Sequence, residues 1–212
     1  MLTIMVTTFT RDWAATVEQV ARAGGVPVTV LPAVPLGPDT TPERSGLLSH
    51  MWSITSAAAW GGGFVLEDDV LASVDWPGVF GNIVKRSRLD MGDIAVALYV
   101  PDFCRAHCIP DPATGLERYD HKWFVGNQAI WWGGRLAGAV SYWLREYDEG
   151  GGRLNIEEAL RLCPHLEGRL YAMPADLFDH KPGPSSYASS EPHKAGRFTV
   201  SGFSCDGFEQ EP

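Results

Sequence analysis

Basic residues are scarce in this chain. Its 212 residues include 17 Lys and Arg against 26 Asp and Glu, for a formal net charge of −9. Such a chain does not hold nucleic acid by bulk electrostatics, because phosphate contacts are made by Lys and Arg. One short basic run, Lys85, Arg86 and Arg88, could form a local basic face with Arg105 and Lys122, although the solvated end of a helix explains the run equally well. Long apolar runs are also missing, and none approaches the ~20 residues of a bilayer-crossing helix. No basic leader precedes the opening strand-like residues, so the expected compartment is a reducing cytoplasm. Cysteine is limited to Cys104, Cys108, Cys163 and Cys205, and a disulfide framework is not expected there. His107 lies between the first two and His165 follows the third, but the spacing matches no strong zinc pattern. Internal repeats and domain linkers are absent as well.

What the chain does have is 45% hydrophobic and 11% aromatic residues, enough for a sizeable core in one domain. Residues 2–9 read as a buried strand, followed by a helix opened by Asp12 and stopped by Gly24-Gly25. A second strand over 26–31 leads into a Pro-rich loop, 32–42. A longer helix is expected from Pro42 to Trp60, ended by Gly61-Gly62-Gly63. The short apolar strand Phe64-Val65-Leu66 then runs directly into Glu67-Asp68-Asp69. This β-α-β-α-β order predicts an α/β domain with an open, mixed but mainly parallel sheet flanked by helices. Further on, 76–90, 133–147 and 155–163 read as helices, and 93–100, 122–132 and 168–173 as strands. Residues 101–121 look irregular, and loops of that length inside a domain are often functional.

Three consecutive carboxylates after an apolar strand repel one another, and a bound cation relieves that repulsion. Open α/β sheets place ligands at the carboxyl ends of their strands. Carboxylates favour hard cations such as Mg²⁺ and Mn²⁺. Alternation along a strand would turn Glu67 and Asp69 to one side and Asp68 to the other. A metal on Asp69, alone or with Glu67, would bridge a diphosphate and neutralise charge on a leaving group. The plain alternative is an acidic surface turn, and a two-metal nuclease or a nucleotidyltransferase would use the same cluster. Thr7, Thr8 and Arg11, at the end of the first strand, are candidates for base, ribose or diphosphate contacts. Arg44 and His50, on the next long helix, are candidates to face the same ligand, although a buried, satisfied histidine is as good a reading of His50. Trp123, Trp131, Trp132 and Tyr119 could form a stacking wall, or simply pack the core.

The stretch Gly46-Leu47-Leu48-Ser49-His50-Met51-Trp52, followed by Gly63-Phe64-Val65-Leu66-Glu67-Asp68-Asp69-Val70, resembles glycosyltransferase family 25. That family contains lipooligosaccharide and collagen galactosyltransferases. Gly126-Asn127-Gln128-Ala129-Ile130 with Arg135 and Ala137, and Leu177-Phe178-Asp179-His180-Lys181 with Ser185-Ser186, are similar to its later segments. The resemblance implies a GT-A type, single Rossmann-like domain over 1–187, with 188–212 as a tail that is a lid or partly disordered. It implies a nucleotide-diphosphate-sugar donor, UDP-sugar above others, and Mn²⁺ or Mg²⁺ held by Asp69, Glu67 and His180. Donor contacts would come from Thr7, Thr8, Arg11, Arg44, His50, Glu67 and Asp68. An inverting reaction is implied, which needs a base for the acceptor hydroxyl. Glu157, where a helix opens, is the candidate, with Glu158 and Asp148 as alternates; helix-opening acids that complement the dipole are the competing explanation. Small members of this broad type occur in bacteriophages, so host cytoplasm is one setting, and the acceptor is open among glycan, protein side chain and hydroxymethylated DNA base. The chain is short for the family, and its acceptor-facing segments match least. The alternatives to a glycosyltransferase are a metal-dependent phosphoryl-transfer enzyme and an inactive nucleotide-sugar-binding module.

Overall fold

The computed structural model describes residues 2–7, 13–125, 127–152 and 155–180. Thr8, Arg11, Asp12, Gly126, the Ser185-Ser186 pair and the 188–212 tail lie outside the described residues. An eight-stranded sheet runs in the order β2 (Thr29–Leu31), β1 (Leu2–Val6), β3 (Gly62–Glu67), β8 (Ala129–Gly133), β5 (Ala95–Ala97), β9 (Leu170–Ala172), β7 (Leu116–Tyr119) and β6 (Cys108–Asp111). β1, β2 and β3 pair in parallel, as do β5 and β9. β8 runs antiparallel to both β3 and β5, and β7 runs antiparallel to both β9 and β6. The sheet is therefore mixed but mainly parallel in direction, as expected. The 101–121 segment is more ordered than its composition suggests. It holds a 3-10 turn (Asp102–His107) and the β6–β7 hairpin, which extends the sheet.

Side chains on the central strands alternate between two cores. Val65, Ile130, Trp132, Ala95 and Ala97 face one core, which is closed by α2 (Pro42–Ala59), α4 (Gly134–Glu149) and α5 (Ile156–Leu162) through Leu47, Ile54, Val140 and Leu160. Phe64, Leu66, Ala129 and Val96 face the other, which is closed by α1 (Ala14–Gly24) and α3 (Trp76–Ser87) through Val20, Trp76 and Phe80. Phe64 packs edge-on against Trp76, Phe80 and Trp131, with ring centroids 4.8–5.0 Å apart. Backbones approach closely where β8 turns into α4: a Cβ on Gly133 would sit 2.0 Å from the Met91 carbonyl oxygen. No described helix is long and apolar enough to cross a membrane.

α2 forms as its sequence requires. Thr41 caps it by accepting from the Arg44 amide, Pro42 occupies the first turn, and Glu43 complements the dipole. Ser45 donates to the Val34 carbonyl at 2.6 Å, and Ser49 accepts from the Val34 amide at 3.0 Å, so the Pro-rich loop is pinned to the helix. After β3 the chain turns at Asp68-Asp69 into β4 (Val70–Ala72), which pairs antiparallel with β10 (Phe178–His180). This two-stranded sheet was not legible in the sequence.

Candidate active site

The acidic triplet is divided between the two layers. Glu67 ends β3 on the Val65 side and so points toward α2. Its Oε1 lies 3.0 Å from His50 Nε2 and 2.9 Å from Asn127 Nδ2. A carboxylate only accepts, so the imidazole carries its proton on Nε2 and both neighbours donate to Glu67. His50 and Asn127 are buried, and together the three groups form a satisfied polar cluster beneath the strand end.

Asp68 and Asp69 belong to the opposite layer, because the turn ends the strand alternation. Thr16 Oγ1 on α1 donates to the Asp68 carbonyl at 2.8 Å, and Asp68 is buried. The Gln19 side chain clamps β4 from the same helix: its amide donates to the Ala72 carbonyl at 2.8 Å and its oxygen accepts from the Ala72 amide at 3.0 Å. The β4–β10 register sets His180 opposite Val70, next to Asp69. His180 Nε2 lies 2.9 Å from Asp69 Oδ2, with only 5–6% of either side chain exposed. A carboxylate and an imidazole thus meet at the carboxyl edge of the sheet. Among the described residues, no three His, Cys, Asp or Glu side chains gather as a ready-made metal cage.

A second carboxylate group lies beside β5. Asp176 accepts from the Val100 amide at 3.0 Å and from Arg105, which also donates to Glu117 at 3.0 Å and to the Met173 carbonyl at 2.7 Å. Burial pushes the Asp176 carboxyl up to about 6, while Arg105 pulls it down and Asp179 adds to the rise. Burial, followed by the field of Asp179, Asp176, Asp102 and Asp69, raises the Tyr99 phenol well above its ordinary value. Arg105 is thereby committed to this network. Sequence reading passed over Asn127 and Asp176 as site residues. Asn127 sat within a quoted stretch, but no local pattern marks an amide that will meet a carboxylate 60 positions away.

The remaining candidates lie on separate elements. Thr7, buried at the end of β1, donates its amide to the Leu31 carbonyl at 3.2 Å. Arg44 forms a two-point pair with Asp148 at 2.9 and 3.0 Å and donates to the Asp39 carbonyl at 2.9 Å. Glu157 and Glu158 open α5, where Asn155 caps by accepting from the Glu158 amide at 3.0 Å. Of the four aromatics, Trp132 and Tyr119 are buried, and Trp131 packs on Phe64 and Phe80. Only Trp123 is open, 54% exposed and stacked on His107 at 4.0 Å. Burial raises the Cys108 and Cys163 thiols to about 12 and about 11, so they stay protonated near neutrality.

No protein-family model matches the chain, and no curated protein matches it significantly. Solved structures do. A glycosyltransferase involved in the glycosylation of the major capsid of PBCV-1 aligns with a TM-score of 0.50 and 14% identity, over 86% of this chain and 95% of that one. A197 from STIV aligns with a TM-score of 0.44 and 11% identity, over 85% of each chain. Mannose-1-phosphate geranyltransferase from Thermus thermophilus aligns with a TM-score of 0.41 and 12% identity, over 81% of this chain and 73% of that one. The fold is thus an α/β fold similar to those of glycosyltransferases.

Proposed function

We propose that this protein is a metal-dependent glycosyltransferase that moves a sugar, with inversion, from a nucleotide-diphosphate-sugar to an acceptor hydroxyl. The observation that carries the reading is the buried Asp69–His180 pair at the carboxyl edge of the sheet. Open α/β sheets bind their ligands at that edge. The resemblance of the Ser49-His50 helix and the Glu67-Asp68-Asp69-Val70 turn to glycosyltransferase family 25 supports it, as does the likeness of the fold to the capsid glycosyltransferase.

The donor set fits Mn²⁺ or Mg²⁺. A carboxylate and an imidazole lie side by side, each nearly inaccessible to solvent, and both would serve as ligands to such a cation. We assign the metal to Asp69 and His180. When bound, such a cation neutralises the charge that develops on a diphosphate leaving group. Glu67, already held by His50 and Asn127, fixes the end of β3 and so the position of the acidic turn. Thr7, at the end of β1, would contact the nucleotide of the expected UDP-sugar donor; Thr8 and Arg11, candidates for the same role, lie outside the described residues. Asp68 anchors the turn to α1 through its backbone. Glu157 takes the proton of the acceptor hydroxyl. Asp148 suits that task less well, because its two oxygens already accept from Arg44.

The test is a donor screen with Mn²⁺ that follows release of nucleoside diphosphate, with Asp69→Ala as control. Release from one donor by the parent chain and not by the variant supports the reading. No release and no metal-dependent binding of any donor overturns it.

A further inference from the structure

A recess opens on the α2–α4 side of the same edge. It is a cleft of about 640 Å³ between the start of α2 and the end of α4, lined by Asp39, Glu43, Arg44, Leu47 and Asp148 and by the Gly151-Gly152 backbone. Small-molecule sites measure about 300–1,000 Å³. The glycines are required there. Gly151 has φ +84°, and a Cβ on Gly152 would lie 2.2 Å from the Tyr147 ring.

The lining decides what the cleft accepts. Among the described lining residues three carboxylates face one guanidinium, a balance that does not favour a phosphate or another anion, so the donor's diphosphate is not placed here. None of the described lining residues is aromatic, so they offer a nucleobase nothing to stack on. Among them Leu47 is the one large apolar contributor, too little for an apolar ligand. Hydroxyls, however, are well served. Arg44 uses three of its five N–H donors on Asp148 and the Asp39 carbonyl, which leaves two. Asp148 is held in plane by the two-point pair and keeps lone pairs for further donors. Adjacent donors and acceptors in one fixed plane match the vicinal hydroxyls of a sugar ring.

We propose that this cleft binds an uncharged saccharide through the Arg44–Asp148 pair and that it is the acceptor site. The acceptor role rests on the transferase reading above, whereas the saccharide site does not. α5, which carries Glu157, packs on both α2 and α4 and follows the cleft's glycine loop directly, so a hydroxyl held in the cleft is within the layer that bears the base.

The test is amide chemical-shift mapping on the full, isotope-labelled chain. The probes are the methyl glycosides of glucose, galactose and mannose, with maltose, lactose and cellobiose. The expected result is saturable shifts at Arg44, Gly151 and Gly152 with at least one probe. Asp148→Asn and Arg44→Gln should weaken that binding at least tenfold. Glu43→Trp, at an exposed helix position where folding is safe, should block it sterically. Shifts with no probe, shifts confined to another face, or stronger shifts from a sugar phosphate or an oligonucleotide would overturn the proposal. Saccharide binding here without any donor turnover would remove the transferase reading and leave the site; donor turnover without saccharide binding would do the reverse.

Discussion

On the α1–α3 side of the sheet, the polar groups at the carboxyl edge are nearly dry: Asp69 and His180 are about as buried as the core beneath them. On the α2–α4 side, Glu67 is 20% exposed above the buried His50 and Asn127, and Arg44 is 42% exposed. The two sides begin within a single tripeptide. A buried carboxylate–imidazole pair is costly to maintain without a function and interacts strongly with any charge brought to it. A guanidinium–carboxylate pair whose guanidinium is open to solvent contributes little to stability but offers many hydrogen-bonding groups. On the proposed reading, the first side stabilises charge and the second recognises a ligand.

Five substitutions test that contrast. The largest effect is expected at Asp69. Asp69→Asn keeps the shape and removes the charge, so donor turnover should fall at least about 100-fold, with metal-dependent donor binding lost as well. A variant that keeps metal-dependent turnover would break the comparison. His50→Leu leaves the Glu67 carboxylate short of a donor and should cost about 2–3 kcal/mol in denaturant unfolding. The double variant His50→Leu with Glu67→Met should recover part of that loss, because no charge is then stranded; equal losses would show that His50 acts by packing alone.

Asp176 offers a pH test. Its folded-state value, about 6, lies above the ordinary 3.8. The folded protein therefore binds that proton more tightly than the unfolded chain does. The stabilisation is complete below pH 4 and is lost as pH rises through 6, an effect of up to about 3 kcal/mol. Asp176→Asn should flatten that fall in thermal melts between pH 4 and 6. An unchanged slope would assign it to another group. Arg44→Gln should produce the smallest effect on stability, with a melting temperature close to that of the parent chain, since exposed ion pairs contribute little. A large drop would show that the Arg44–Asp148 pair supports the fold rather than a ligand.

Much of the fold was legible because its signals are local. Thr41, Pro42 and Glu43 mark the start of α2, glycines mark its end, and the apolar stretch before Glu67 can only be a buried strand. The expected helices at 133–147 and 155–163 correspond to α4 (Gly134–Glu149) and α5 (Ile156–Leu162) within a few residues. The 122–132 strand shrank to Ala129–Gly133, because His121–Trp123 forms a 3-10 turn capped by Asp120. The hairpin in 101–121 was missed because its strands are short and carry Pro and charged residues, which pair only when β9 offers an edge.

The sequence by itself determined that an acidic turn would follow a buried strand at the carboxyl edge of an α/β sheet, since strand, turn and helix signals all lie within a few residues of one another. It also singled out His180 beside a recognisable stretch. Only the tertiary structure decided which partner each carboxylate received. Strand alternation sent Glu67 to His50 and Asn127, the turn sent Asp69 to the other layer, and the β4–β10 pairing brought His180 across 111 positions to meet it. Contacts between residues so far apart depend on register and layer, and neither is set by local preference.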